Sequence, residues 1–150
     1  MSAERVAAEL AVRGLVARYA DAVTRRDASA WRATWAVDGA WQILGQSARG
    51  RAAVAALWEQ LMGGFEFVVQ LPISGSVRVD GETASGRWTV IEQGKTVGGG
   101  AFHSLGIYDD RYRCDDGDWR FEERRLHLLY LGPPDLSAPF RPYPEAEAGC

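Results

Sequence analysis

After Gly63-Gly64 the apolar residues change their spacing from the helical period to a period of two, and hold it through four long segments. These segments run at about 65–79, 82–97, 101–114 and 118–130, and Asp80-Gly81, Gly98-Gly99-Gly100 and Asp116-Gly117 separate them. Parallel neighbours would need crossovers of about a dozen residues or more, which these turns cannot supply. The four strands therefore form an antiparallel meander, and its apolar face has to be covered by something.

The cover lies upstream. From Glu4 to about Arg26, Val6, Leu10, Leu15, Val16, Tyr19 and Val23 recur at the helical period with charges between them. In "RGRAAVAALWEQLMGG", Val54, Leu57, Trp58, Leu61 and Met62 fall at i, i+3, i+4, i+7 and i+8. Between these helices Asp27 precedes Ala-Ser-Ala-Trp and reads as the N-cap of a short second helix. Ala40–Leu44 is a short β-prone segment ending at Gly45. Helices first and strands afterwards give an α+β class: three N-terminal helices packed on a curved, mostly antiparallel sheet.

A chain of 150 residues suffices for one core. We read 1–135 as a single domain and 136–150 as a proline-rich tail, because the last twenty residues hold five of the six prolines. Leu131, Leu136, Phe140 and Tyr143 suggest that the first part of this stretch lies on the domain. A formal charge of −3 without a concentrated basic face argues against nucleic acid or an anionic membrane as partner. The acids in MSAERVAAEL and the lack of a long apolar run point away from secretion and from a membrane span. Cys114 and Cys150 have no metal-type spacing and fit a reducing cytoplasm, with a disulfide between them the less favoured alternative. No HExxH, CxxC or GxSxG is present, and the glycine run at 98–100 lacks the lysine and helix of a phosphate loop.

Three stretches, "LVARYADAVTRRDASAWRATWAVDGAW", "GIYDDRYRCDDGDWRFEERRL" and "LYLGPPDLS", resemble the SnoaL-like branch of the nuclear-transport-factor-2-like α+β cone superfamily, with a likeness that spans roughly residues 20 to 135. The resemblance implies a cone whose interior holds a small, largely apolar pocket between the first helix, the third helix and the concave sheet face. It further implies a small-molecule ligand, no cofactor or metal, a homodimer, and either proton-transfer chemistry (dehydration, isomerisation or cyclisation) or binding without chemistry.

Alternation assigns the pocket lining. Gly86, Trp88, Val90 and Glu92 share one face of their strand, as do Phe102, Ser104, Gly106 and Tyr108 on the next. On the last strand Glu122, Arg124, Leu126 and Leu128 are placed inward, and Phe121, Glu123, Arg125 and His127 outward. Thr24, Trp41, Trp58, Phe65 and Val68 complete the expected ligand contacts, while Trp31, Trp35 and Trp119 are read as packing.

The dehydratases and dehydrochlorinases of the resemblance use an Asp late in the first helix to orient a His on the first long strand. Those positions fall on Thr24 and Gln70, which keep hydrogen bonding but do not titrate near neutrality. Arg124 matches the pocket arginine of these proteins, and the alternative is an exposed strand residue paired with Glu122 or Glu123. Tyr19 either donates a hydrogen bond into the cavity or simply packs. In the enzyme reading Arg124, Tyr19 and Gln70 hold a developing oxyanion, and Glu92, Glu122, His103 or His127 supplies the base. Both histidines fall on outward faces. Asp109 and Asp110 are expected at the edge or turn side, in solvent.

Overall fold

The computed structural model describes residues 1–144. Helix α1 (Ala3–Arg25) starts at Ser2, whose side chain accepts the Arg5 N–H at 3.2 Å, and stops where Arg26 turns left-handed (φ 55°). The Arg26 guanidinium donates to the carbonyls of Met62 and Phe65, tying the helix end to the turn at Gly63-Gly64. Asp27 caps α2 (Ala28–Ala33), accepting the Ala30 N–H at 3.0 Å. Strands β1 (Trp35–Ile43) and β2 (Gln46–Arg49) follow, then α3 (Arg51–Met62) and the four long strands β3 (Phe65–Asp80), β4 (Thr83–Thr96), β5 (Ala101–Asp115) and β6 (Asp118–Gly132).

The six strands form one curved, open sheet in the order β2-β1-β6-β5-β4-β3. Every pairing is antiparallel except β1 with β6, which is parallel. Helix α1 lies along β3, and α3 sits over β1. Between helices and sheet an aromatic core forms: Trp31 stacks on Trp58 with centroids 4.8 Å apart, and Tyr19, Trp35, Trp41 and Phe121 pack around them. None of these helices is long and apolar enough to cross a membrane.

Three details depart from the sequence expectation. The first strand starts at Trp35, not Ala40. Trp35 pairs with Phe121, and the ladder resumes at Ala40 opposite Glu123 after an irregular stretch. Asp38-Gly39, a turn signal on composition, sits in that irregularity; a Cβ on Gly39 would come within 2.9 Å of the Trp35 ring. Next, Leu44 (φ 50°) and Gly45 (φ 75°) make a two-residue hairpin turn into β2, a strand the sequence reading lacks.

The third departure concerns β6, where strict alternation fails twice. Tyr112 faces Phe121 while Arg111 faces Glu123, so Glu122 is the extra residue of a bulge and both Phe121 and Arg124 turn inward. The outward assignment of Phe121 and the inward one of Glu122 are thereby corrected. Leu105 faces Tyr130 and Gly106 faces Leu128, so Leu129 is a second extra residue.

Beyond β6, residues 133–144 lie on the convex face of the sheet. Phe140 packs on Tyr130, the Arg141 N–H bonds the Leu129 carbonyl at 2.7 Å, and the Tyr143 hydroxyl donates to Asp109 at 2.5 Å. Among the described residues Cys114 has no disulfide partner. A disulfide to Cys150 lies outside the described residues.

Candidate functional site

A cavity of about 470 Å³ opens between α1, α3 and the concave sheet face. This is the size range of small-ligand sites. Trp41 and Ile43 of β1 form one wall, Trp58 and Met62 of α3 another, and Tyr19 and Val23 reach in from α1. Phe65 stacks on Phe102, with centroids 5.2 Å apart, on the sheet side. Leu44 and Leu131, about half exposed, mark the rim.

One polar row interrupts this apolar lining. Gln70, Glu92 and Ser104 stand directly opposite one another on β3, β4 and β5, and all three line the cavity. Cross-strand neighbours on one face sit close enough to interact. Gln70 Nε2 donates to Glu92 Oε1 at 3.0 Å. Burial pushes the Glu92 carboxyl above its ordinary range, and the Gln70 hydrogen bond opposes the shift only in part. Burial likewise raises the phenols of Tyr19 and Tyr108, so both stay neutral hydroxyls. Tyr108 Oη accepts the Trp41 indole N–H at 3.2 Å.

Behind these tyrosines lies a buried ion pair. Arg124 Nε and Nη2 donate to Asp110 Oδ1 and Oδ2 at 2.8 and 3.1 Å, with side chains 1% and 0% exposed. The guanidinium carbon sits 3.8 Å from the Tyr108 ring centroid and 4.4 Å from those of Tyr19 and Phe121. Tyr112 donates to Asp110 at 2.6 Å and accepts the Trp88 indole N–H at 3.0 Å, closing a chain from Trp88 to Arg124. Burial works against the Arg124 charge, but the Asp110 carboxylate, paired with it and hydrogen-bonded to it, outweighs burial and holds its pKa above the ordinary value. Asp110 is thus a core residue and not a solubilising edge acid. The partner of Arg124 is Asp110, rather than Glu122 or Glu123.

Of the sequence-predicted site residues, Tyr19, Gln70, Trp41, Trp58, Phe65, Ser104, Tyr108, Leu126 and Leu128 line the cavity. Arg124, Val68, Trp88 and Val90 are buried in the core beside it and are not part of its wall. Trp88 lies over Gly75, where an added Cβ would come within 2.3 Å of the indole. Thr24 is exposed, and its Oγ1 accepts the Gln70 backbone N–H at 3.1 Å. Glu122 does not line the cavity. His103 bonds Gln93 at 3.1 Å and His127 pairs with Asp109 at 3.0 Å, away from the cavity lining. Sequence reasoning missed Leu131, which reaches the cavity because the Leu129 bulge shifts the alternation, Gly132 next to it at the strand end, and Thr96, beyond the stretch assigned on β4.

A family model for the SnoaL-like domain matches residues 4–125, well over half of the chain. Solved structures share the fold. A variant of Rv3472, a protein of unknown function from Mycobacterium tuberculosis, is 29% identical, with a TM-score of 0.71 over 79% of this chain and 74% of its own. The hexachlorocyclohexane dehydrochlorinase LinA-type3 from Novosphingobium barchaimii LL02 is 19% identical, with a TM-score of 0.80 over 93% and 97% of the two chains. LinA itself is 22% identical, with a TM-score of 0.82 over 93% and 97%. No curated protein sequence matches the chain.

Proposed function

We propose, for a chain that belongs to the SnoaL-like domain family, that the cavity binds a small molecule with an apolar or aromatic body and that Glu92 moves a proton on it. One observation carries this reading: among the described residues one carboxyl, raised by burial and held by Gln70, faces a cavity walled mostly by aromatic and aliphatic side chains. Burial moves such a carboxyl away from the ordinary carboxylate range in the direction that general acid–base work uses. Tyr19, Tyr108 and Gln70 supply polar contacts for charge that develops on an oxygen. Arg124, committed to Asp110, supports the two tyrosine rings from behind.

The chemistry that fits is a dehydration, isomerisation or cyclisation carried by side chains alone. The dehydrochlorinases among the structural relatives keep elimination within that class. The same reading has the protein act on a small molecule, without a cofactor, as a cytoplasmic homodimer; its charge of −3 supports the exclusion of nucleic acid. A panel of apolar ketones, alcohols and epoxides tests it. Turnover is expected for at least one member, with kcat falling about 10²–10⁴-fold in Glu92→Gln. Turnover that Glu92→Gln leaves untouched would remove Glu92 from this role.

A second reading rests on Thr24 and Gln70, whose contact is a backbone hydrogen bond without a titrating group where the family resemblance puts an acid–base dyad. On that reading the cavity binds its ligand without chemistry, in a dimeric interaction module. Saturable binding with no turnover across the panel would favour it.

A further inference from the structure

We infer that the polar end of the cavity's ligand is a protonated amine, received by Glu92 and its two cross-strand neighbours. This rests on the reading of the cavity as the ligand site and adds the charge of the molecule.

The first argument is the charge of the lining. Among the described residues that line the cavity, Glu92 is the one acid, and there is no Lys, Arg or His. The nearest buried cation, Arg124, stands behind the rings of Tyr19 and Tyr108 and is neutralised by two hydrogen bonds to Asp110. An anionic ligand would meet a carboxylate in a site of low dielectric with no cation to receive it.

Acceptor count gives the second argument. An ionised carboxylate has about four acceptor positions. Among the described residues Gln70 Nε2 is the only side-chain donor bonded to Glu92. With its amide nitrogen turned to Glu92, Gln70 leaves its Oε1 as an acceptor, and Ser104 Oγ stands on the opposite flank. A primary ammonium brings three N–H donors and one positive charge, the complement of this row. The third argument is the wall. Trp41, Trp58, Phe65 and Phe102 present aromatic surface to the same cavity, and such faces attract a cation as well as an apolar body.

Three probes of one shape separate the possibilities: 2-naphthylmethylammonium, 2-naphthylmethanol and 2-naphthoate, titrated calorimetrically into the full chain at neutral pH. The ammonium is expected to bind about tenfold or more tighter than the alcohol, and the carboxylate weakest, as hydrogen bonds to a charged group imply. Glu92→Gln should bring the ammonium down to the affinity of the alcohol while leaving the alcohol within about threefold. Binding led by the alcohol or the carboxylate, or an ammonium preference that survives Glu92→Gln, overturns the charge assignment and leaves the cavity as the ligand site. Binding of none of the three removes the cavity reading together with it. The wild-type ranking decides alone should Glu92→Gln fail to fold.

Discussion

Asp110→Asn is the substitution to which the folded state should be most sensitive for its size. It changes neither volume nor shape, yet it leaves the Arg124 guanidinium buried with no compensating charge. Asp110 accepts from Arg124 twice, at 2.8 and 3.1 Å, and from Tyr112 at 2.6 Å, and both charged side chains are shut off from water. Removing one partner of such a pair costs about 3–5 kcal/mol. For a domain of this length each kcal/mol moves the melting temperature by about 2–4 °C, so a drop of roughly 10 °C is expected. Thermal and urea unfolding, followed by far-UV circular dichroism, read it directly. The double variant Asp110→Leu with Arg124→Met removes both charges and should recover most of the loss, because the desolvation penalty goes with the pair. A loss under about 1 kcal/mol for Asp110→Asn, or a double variant no better than the single one, would refute the reasoning from an unpaired buried charge.

Other expectations follow from single features. Burial raises Glu92, so in the wild type the ionised form carries a penalty in the fold that the unfolded chain does not share. Below the unfolded carboxyl pKa of about 4.3 both states are protonated and the penalty is absent; it grows as pH rises toward the folded value. Wild-type stability should therefore decline relative to Glu92→Gln over that window, and parallel urea midpoints across roughly pH 4 to 8 would contradict it. Gly75→Ala puts a methyl into the Trp88 indole and should destabilise the fold with a changed near-UV signal from that tryptophan; an unchanged spectrum and midpoint would show that the sheet yields there. Asp27→Ala removes the N-cap of α2 and should cost about 1 kcal/mol in urea unfolding, with Asp27→Asn restoring most of it.

How much of this is legible beforehand depends on the kind of signal. Helices with a one-sided apolar face and strands bounded by Asp-Gly turns are local patterns, and both emerge where their periods place them. Glu92 shares its strand face with no bulge between it and its partners, so its place on the cavity follows from alternation with Ser104 and Gln70. The last strand is different. Its two extra residues, Glu122 and Leu129, are set by pairing with β5, which no spacing within β6 encodes. Asp110 misleads because an acid beside another acid in "YDDRY" looks solvated, and only the inward turn of Arg124 from the neighbouring strand explains its burial. Trp35 escapes as a strand residue because Asp38-Gly39 has the composition of a turn while serving as a bulge.

The path of the chain after β6 has a consequence for any assembly. Leu131 and Gly132 stand at the edge of the cavity, and eleven residues after Gly132 the Tyr143 ring is clamped on the opposite side of the sheet, against Arg87, Asp109 and His127. In the single copy this outer surface is already occupied by the chain's own segment up to Tyr143. Any molecule approaching the same strands must either lift that strap or shape itself around it, so truncation after Gly132 would bare this surface and free the cavity's edge in one stroke.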